Sequence, residues 1–183
     1  MTMYFIALVL PSALNEKVLH WKNFMHQRYD CNVGLKSPAH ITLIPPFWME
    51  ENREAELFHD VAQLAKNSLP FIVRTKNFSA FKPRTIFIDV EKNIVLNSLK
   101  ENVDDFFKPN NYCKIKVDSR PFHPHITIAT RDLFKKIFYE AWPVFEKEIF
   151  EEEWIVDGLS VLRHNKKNWD VVYTSQFVIG SKA

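Results

Sequence analysis

The tripeptide His-Ile-Thr occurs twice in the chain, at 40–42 within SPAHITLIPPF and at 125–127 within RPFHPHITIATRD. Each copy sits in a short alternating run that reads as a strand. On a strand, side chains at i and i+2 share a face, so His40 lies with Thr42 and His125 with Thr127. Ile41 with Leu43, and Ile126 with Ile128, point the other way. An isoleucine face packs well under helices, whereas an imidazole and a hydroxyl in a dry core carry a heavy desolvation cost. The His/Thr face therefore belongs on the wall of a wet cleft, where its polar groups find partners. Two such strands brought together set two imidazoles across one groove.

The flanking pattern extends the repeat. A strand is expected over 3–10, and Pro11-Ser12 then opens a helix in which Leu14, Val18, Trp21 and Met25 recur at helical spacing. The first motif strand runs over 40–44 and is expected to stop at Pro45-Pro46. Leu57, Val61 and Leu64 mark a second helix, followed by strands over 71–78 and 84–90 paired through the Lys82-Pro83 turn. Asn93 is the expected N-cap of a helix carrying Leu96, Leu99, Val103 and Phe106. A short strand over 113–117 precedes the second motif strand, 125–129. A helix over 131–142, ended by Pro143, and a closing hairpin complete the chain. Each motif strand is thus followed by a helix and then by a pair of strands, which reads as a degenerate internal duplication.

Composition narrows the function. With 183 residues, 46% of them hydrophobic, the chain is sized for one domain, 1–183, made of two lobes that each contribute one motif strand. A net charge of +2 without a Lys/Arg run gives no electrostatic case for duplex binding. The apolar N-terminus lacks a basic flank and meets Pro11 well short of a membrane span, so it reads as a buried strand. Cys31 and Cys113 without a CxxC offer neither a disulfide framework nor a four-cysteine zinc site, and a cytoplasmic setting is expected.

Opposed imidazoles suit a reaction in which one proton is removed while another is delivered. With an unperturbed pKa near ~6.5, one histidine can be neutral while the other is protonated. Phosphodiester cleavage has this requirement, because the attacking oxygen loses a proton and the leaving alkoxide gains one. The threonine hydroxyls can donate to the non-bridging oxygens where charge builds up.

The paired HITL at 40–43 and HITI at 125–128, the latter within FHPHITIA, resemble the two HxTx signatures of the 2H (two-histidine) phosphoesterase superfamily, which includes bacterial 2'-5' RNA ligase-like proteins and RNA cyclic phosphodiesterases. The resemblance implies an α+β fold with two antiparallel sheets, related by a pseudo-twofold, around a central groove, and with helices on the outer faces. It implies metal-independent chemistry without a cofactor. The substrates it implies are RNA 3' ends or small nucleotides bearing a 2',3'-cyclic phosphate or a 2'-5' linkage, handled by a monomer away from membranes. His40 and His125 become the acid/base pair, with His125 as base and His40 as acid the favoured division. Thr42 and Thr127 become the phosphate-binding hydroxyls. Many relatives carry an arginine directly after the second motif; here Thr130 intervenes and the arginine is Arg131. Many also follow the first motif with a Gly-containing loop, where this chain has Pro45-Pro46-Phe47 and so a stiffer rim.

Further substrate contacts are expected from Arg84 and Arg131 to phosphate, from Phe47 and Phe122 to a base, and from the Tyr173 hydroxyl. His20, His26, His59 and His164 receive no function. Two other classes remain open. One is a non-catalytic binding module for nucleotides or RNA ends. The other is a metal-dependent hydrolase using His123 and His125, although the barrels that place such a pair need about 250 residues. Chelation separates the metal class: paired-histidine catalysis is indifferent to EDTA, whereas a metal hydrolase loses turnover in EDTA and regains it with zinc.

Overall fold

One β-sheet separates the isoleucines of the two motifs from their histidines. The computed structural model describes residues 1–110, 112, 113, 115 and 120–178. In chain order its elements are β1 (Thr2–Val9), α1 (Ser12–Tyr29), β2 (His40–Met49), α2 (Glu54–Lys66), β3 (Phe71–Phe81), β4 (Thr85–Val90), α3 (Ile94–Phe107), β5 (His125–Ala129), α4 (Lys135–Phe145), β6 (Glu153–Val156), β7 (Gly158–His164) and β8 (Trp169–Gln176). The strand expected over 113–117 falls largely outside the described residues. Among the described residues, no helix is long and apolar enough to cross a membrane.

The α+β class holds, but the two-sheet expectation does not. The strands form one antiparallel sheet of eight in the order β6-β3-β4-β5-β2-β1-β7-β8. The two motif strands are themselves neighbours, paired at Ile41 and Ile126, and this pairing leaves no gap between separate sheets. Chain halves and spatial halves also differ. Strands β3 and β4 follow the first motif in sequence yet lie on the β5 side of the sheet, with β4 paired to β5, while β7 follows the second motif and pairs with β1.

Alternation sorts the sheet's two faces. Tyr4, Ile6 and Leu8 of β1, Ile41 and Leu43 of β2, Ile86 and Ile88 of β4 and Ile126 and Ile128 of β5 are all buried in one core with Leu14, Val18 and Met25 of α1, Leu57 and Val61 of α2, Val103 of α3 and Phe138 of α4. Each such fully buried aliphatic contributes about 1.5–3 kcal/mol relative to exposure. The opposite face carries Phe5, Ala7 and Leu162 in a small separate cluster, together with the motif histidines and threonines.

Three local expectations change. Strand β2 runs through Pro45-Pro46 to Met49, because its register with β1 slips there, from Ile6 opposite Ile44 to Tyr4 opposite Phe47. At such a bulge a residue drops out of the ladder and the prolines' missing N–H groups cost little. Helix α4 begins only at Lys135 and continues past Pro143, which sits in its last turn. Asn93 does cap α3, its side chain accepting from the Leu96 amide at 3.0 Å, although Phe107 rather than Phe106 completes the buried face.

The segment between α1 and β2 is held against the second motif. The 3-10 turn Val33–Lys36 lies so close to β5 that a Cβ on Gly34 would stand 2.1 Å from the Ile128 carbonyl oxygen. Backbone meets backbone there, so no side chain can give way. Gly34→Ala is expected to destabilise the protein by about 1–3 kcal/mol, the usual cost of overpacking, and urea unfolding measures it.

Candidate active site

Strands β2 and β5 run antiparallel with Ile41 opposite Ile126. One step either side of that pair, His40 stands across from Thr127 and His125 across from Thr42. All four side chains therefore share the face opposite the helices, with the two histidines on one diagonal and the two threonines on the other. The next strands complete the floor: Ala7 lies beside Thr42 on one flank, and Phe87 and Asp89 lie beside Thr127 and His125 on the other.

The two histidines are held by the same device. The Nδ1 of His40 lies 2.7 Å from the Pro38 carbonyl oxygen, and the Nδ1 of His125 lies 2.7 Å from that of His123. A carbonyl only accepts, so each Nδ1 carries the hydrogen and donates it. The tautomer is thereby fixed, with each Nε2 as the acceptor nitrogen. Each ring also packs on a phenylalanine from the neighbouring strand, His40 on Phe5 at 4.8 Å and His125 on Phe87 at 5.0 Å between ring centroids.

Their electrostatic surroundings differ. Burial pushes His40 down to about 4, and the charges of Lys22 and His125 add to that effect while the Pro38 carbonyl opposes it. Lys22 is itself buried, donates to the Ser37 carbonyl at 3.0 Å, and is pushed down to about 8 by burial. His125 is also lowered by burial, with the His123 carbonyl and the Asp89 charge working against the shift. Both shifts favour the neutral imidazole near pH 7.

A cavity of about 350 Å³ opens between the motifs, lined by His40, Thr42, Thr127, Thr130 and Arg131 together with Phe5, His164 and Trp169. Arg131 reaches it through a left-handed backbone, φ 55°, directly after the Thr130 that displaces it in sequence. The following residue locks this turn, since Asp132 Oδ2 accepts from the Asn32 and Val33 amides at 2.6 and 2.9 Å. The 3-10 turn and the end of the second motif strand thus form one rim.

The remaining expected contacts scatter. Phe47 is buried on the helix side against Tyr4 and cannot reach the groove, because the bulge at the prolines sets its side chain inward. Tyr173 also faces the helices, stacked on Phe58 of α2 at 4.6 Å, since its register partner is the core residue Val161. Arg84 is exposed in the β3–β4 turn and does not line the cavity. Phe122 lines a different cavity, with His123, Lys76 and Lys92, and its ring is already covered by Lys100 at 5.7 Å. His123 does not join His125 in a ligand pair: its Nε2 meets Asp89 at 2.9 Å, while the Nδ1 of His125 is spent on the His123 carbonyl. Sequence reasoning missed Phe5, Lys22, Asp132, His164 and Trp169. Phe5 had no visible signal, because β1 is apolar on both faces.

A profile of the 2'-5' RNA ligase superfamily matches residues 10–168, and the chain belongs to that superfamily. A putative phosphoesterase of Oceanobacillus iheyensis is 31% identical over 161 residues, covering 86% of this chain and 89% of that one. An RNA 2',3'-cyclic phosphodiesterase of Bacillus subtilis is 26% identical over 141 residues, 70% of each chain. Among solved structures, TT0787 of Thermus thermophilus superposes with a TM-score of 0.70 at 20% identity, covering 99% of this chain and 100% of that one. Escherichia coli LigT complexed with 3'-AMP gives 0.67 at 15% identity over 97% and 98%. These similarities establish the fold of the chain.

The neutral histidines make stability depend on pH. Unfolded, each ionises near ~6.5, so between that value and about 4 the unfolded chain binds more protons than the folded one, and stability falls as pH drops through this window. For His40 the loss is on the order of 3 kcal/mol. Urea unfolding compared at about pH 7 and about pH 4 is expected to show a smaller acid loss in His40→Asn than in the native sequence.

Proposed function

We propose that the protein is a metal-independent phosphodiesterase acting on 2',3'-cyclic phosphate or 2'-5' linked ends of RNA or nucleotides. The observation that carries this reading is the pair of motif histidines on one face of adjacent strands, each with its Nδ1 tied to a backbone carbonyl. Membership of the 2'-5' RNA ligase superfamily and similarity to a bacterial RNA 2',3'-cyclic phosphodiesterase support it. The motif strands act as the inner edges of two lobes related by an approximate twofold through the Ile41/Ile126 pair, which brings one His/Thr pair from each lobe to the substrate.

In the reaction one neutral Nε2 removes the proton from the attacking water while the other histidine, protonated, gives one to the leaving ribose oxygen. The P–O bond to water forms as the bond to the leaving oxygen breaks. The hydroxyls of Thr42 and Thr127 donate to the non-bridging oxygens, and Arg131 at the rim neutralises their charge. With His125 as base and His40 as acid, His40 must take up its proton as the phosphate anion arrives, against burial and the Lys22 charge. An anion in the groove supplies that reversal by favouring the charged imidazole.

His40→Ala and His125→Ala are each expected to lower kcat on a 2',3'-cyclic nucleotide by about 10²–10⁴-fold while leaving the circular dichroism spectrum unchanged. Turnover in EDTA, with kcat/KM followed against pH, is the measurement, and its acidic limb should lie below about 6.5 because the histidines of the free protein are lowered. Full activity in either variant overturns the assignment.

A further inference from the structure

The face of the sheet that bears the motif histidines carries aromatic residues that lie outside the main core beneath the helices. Antiparallel register places Phe5 of β1 beside Leu162 of β7, and His164 of β7 beside Trp169 of β8. Register partners share a face, so all of these lie on the side away from the helices. They form a ladder leading away from the reacting groups. Ring centroids are 4.8 Å apart for His40 and Phe5, 4.7 Å for Phe5 and Trp169, and 4.9 Å for Trp169 and His164. Phe5 is the buried rung, while Trp169 and His164 are half-buried and both line the cavity that also holds Thr42, Thr127 and Arg131.

We infer that Trp169, backed by Phe5 and edged by His164, is a stacking subsite for the base of a nucleotide whose phosphate lies at Thr42 and Thr127. The inference rests on the phosphodiester reading above and adds to it which end of the substrate the cavity grips, and how. The cavity has hydrogen-bond donors and a cation at one end and flat apolar surface at the other, which matches a molecule with a phosphate at one end and an aromatic ring at the other. Its volume of about 350 Å³ is near the lower bound for a small-ligand site and admits one nucleotide unit. Of the aromatics beside the second motif, Phe87 is 1% exposed beneath His125, Lys100 covers Phe122, and Phe81, although exposed and packed on His125 at 5.2 Å, does not line this cavity. Every base has a π-face, so stacking of this kind is tolerant of sequence. The subsite registers that a base is present and discriminates little among bases.

The test compares a substrate with a base and one without. Adenosine 2',3'-cyclic phosphate and glycerol cyclic phosphate present a cyclic phosphodiester, and only the first can reach Trp169. In Trp169→Ala the ratio of kcat/KM for the adenosine compound to that for the glycerol compound is expected to fall about ten-fold, within the range for removing one stacked base. The change should appear in KM for the adenosine compound, and Trp169→Phe should restore most of it. An unchanged ratio, or a loss shared equally by both substrates and not recovered in Trp169→Phe, overturns the subsite and makes Trp169 a prop for Phe5 and His40. If the native protein turns over neither compound, the hydrolytic reading fails by itself, and the subsite is judged by binding. Calorimetric titration with adenosine 3'-monophosphate and with inorganic phosphate should then show Trp169→Ala weakening the nucleotide about ten-fold relative to phosphate, and equal weakening overturns it.

Discussion

The single backbone pairing of Ile41 with Ile126 governs the rest of the site. It joins strands separated by more than eighty residues of chain, and its antiparallel sense converts two copies of His-Ile-Thr into a diagonal quartet. Any one-residue slip would exchange the faces of a motif strand, placing isoleucine in the groove and histidine under the helices. That exchange is opposed twice, by the loss of buried apolar area and by the desolvation of an imidazole. The register is therefore held by the helix side of the sheet, although its consequence is read on the other side.

Around this seam the protein builds a rim from distant pieces. The Asp132 carboxylate ties the turn after the second motif to the amides that open the 3-10 turn before the first, and Gly34 lets that turn lie against the Ile128 carbonyl. Arg131 stands on this joint with its backbone in the left-handed region. Burial beneath the rim keeps both motif histidines neutral, and Lys22 against one and Asp89 against the other make the two chemically unequal although both are tied to a carbonyl in the same way. Two histidines tied to the backbone in the same way thus end in different electrostatic surroundings.

Legibility in the sequence followed range. The alternation of His40-Ile41-Thr42 and of His125-Ile126-Thr127 was visible because strand periodicity is local, and so were the Asn93 cap and the apolar face of α2. The roles first expected of Phe47 and Tyr173 failed because facing depends on a bulge in one case and on a cross-strand partner in the other. The proline pair looked like a strand end for the same reason: whether a missing N–H matters depends on the ladder beside it. Phe5 and Trp169 lie 164 positions apart in the sequence, yet their rings meet at 4.7 Å.

By itself the sequence determined the α+β class, the two His-Ile-Thr motifs and the face each motif side chain takes, since all of these follow from periods of a few residues. It could not determine that the motif strands are neighbours within one sheet, that the strands following each motif lie beside other partners, or that an aromatic ladder runs out from His40. Those were decided by pairing between distant segments, where backbone hydrogen bonds are the same for every sequence and only the total burial of the folded chain selects among the alternatives.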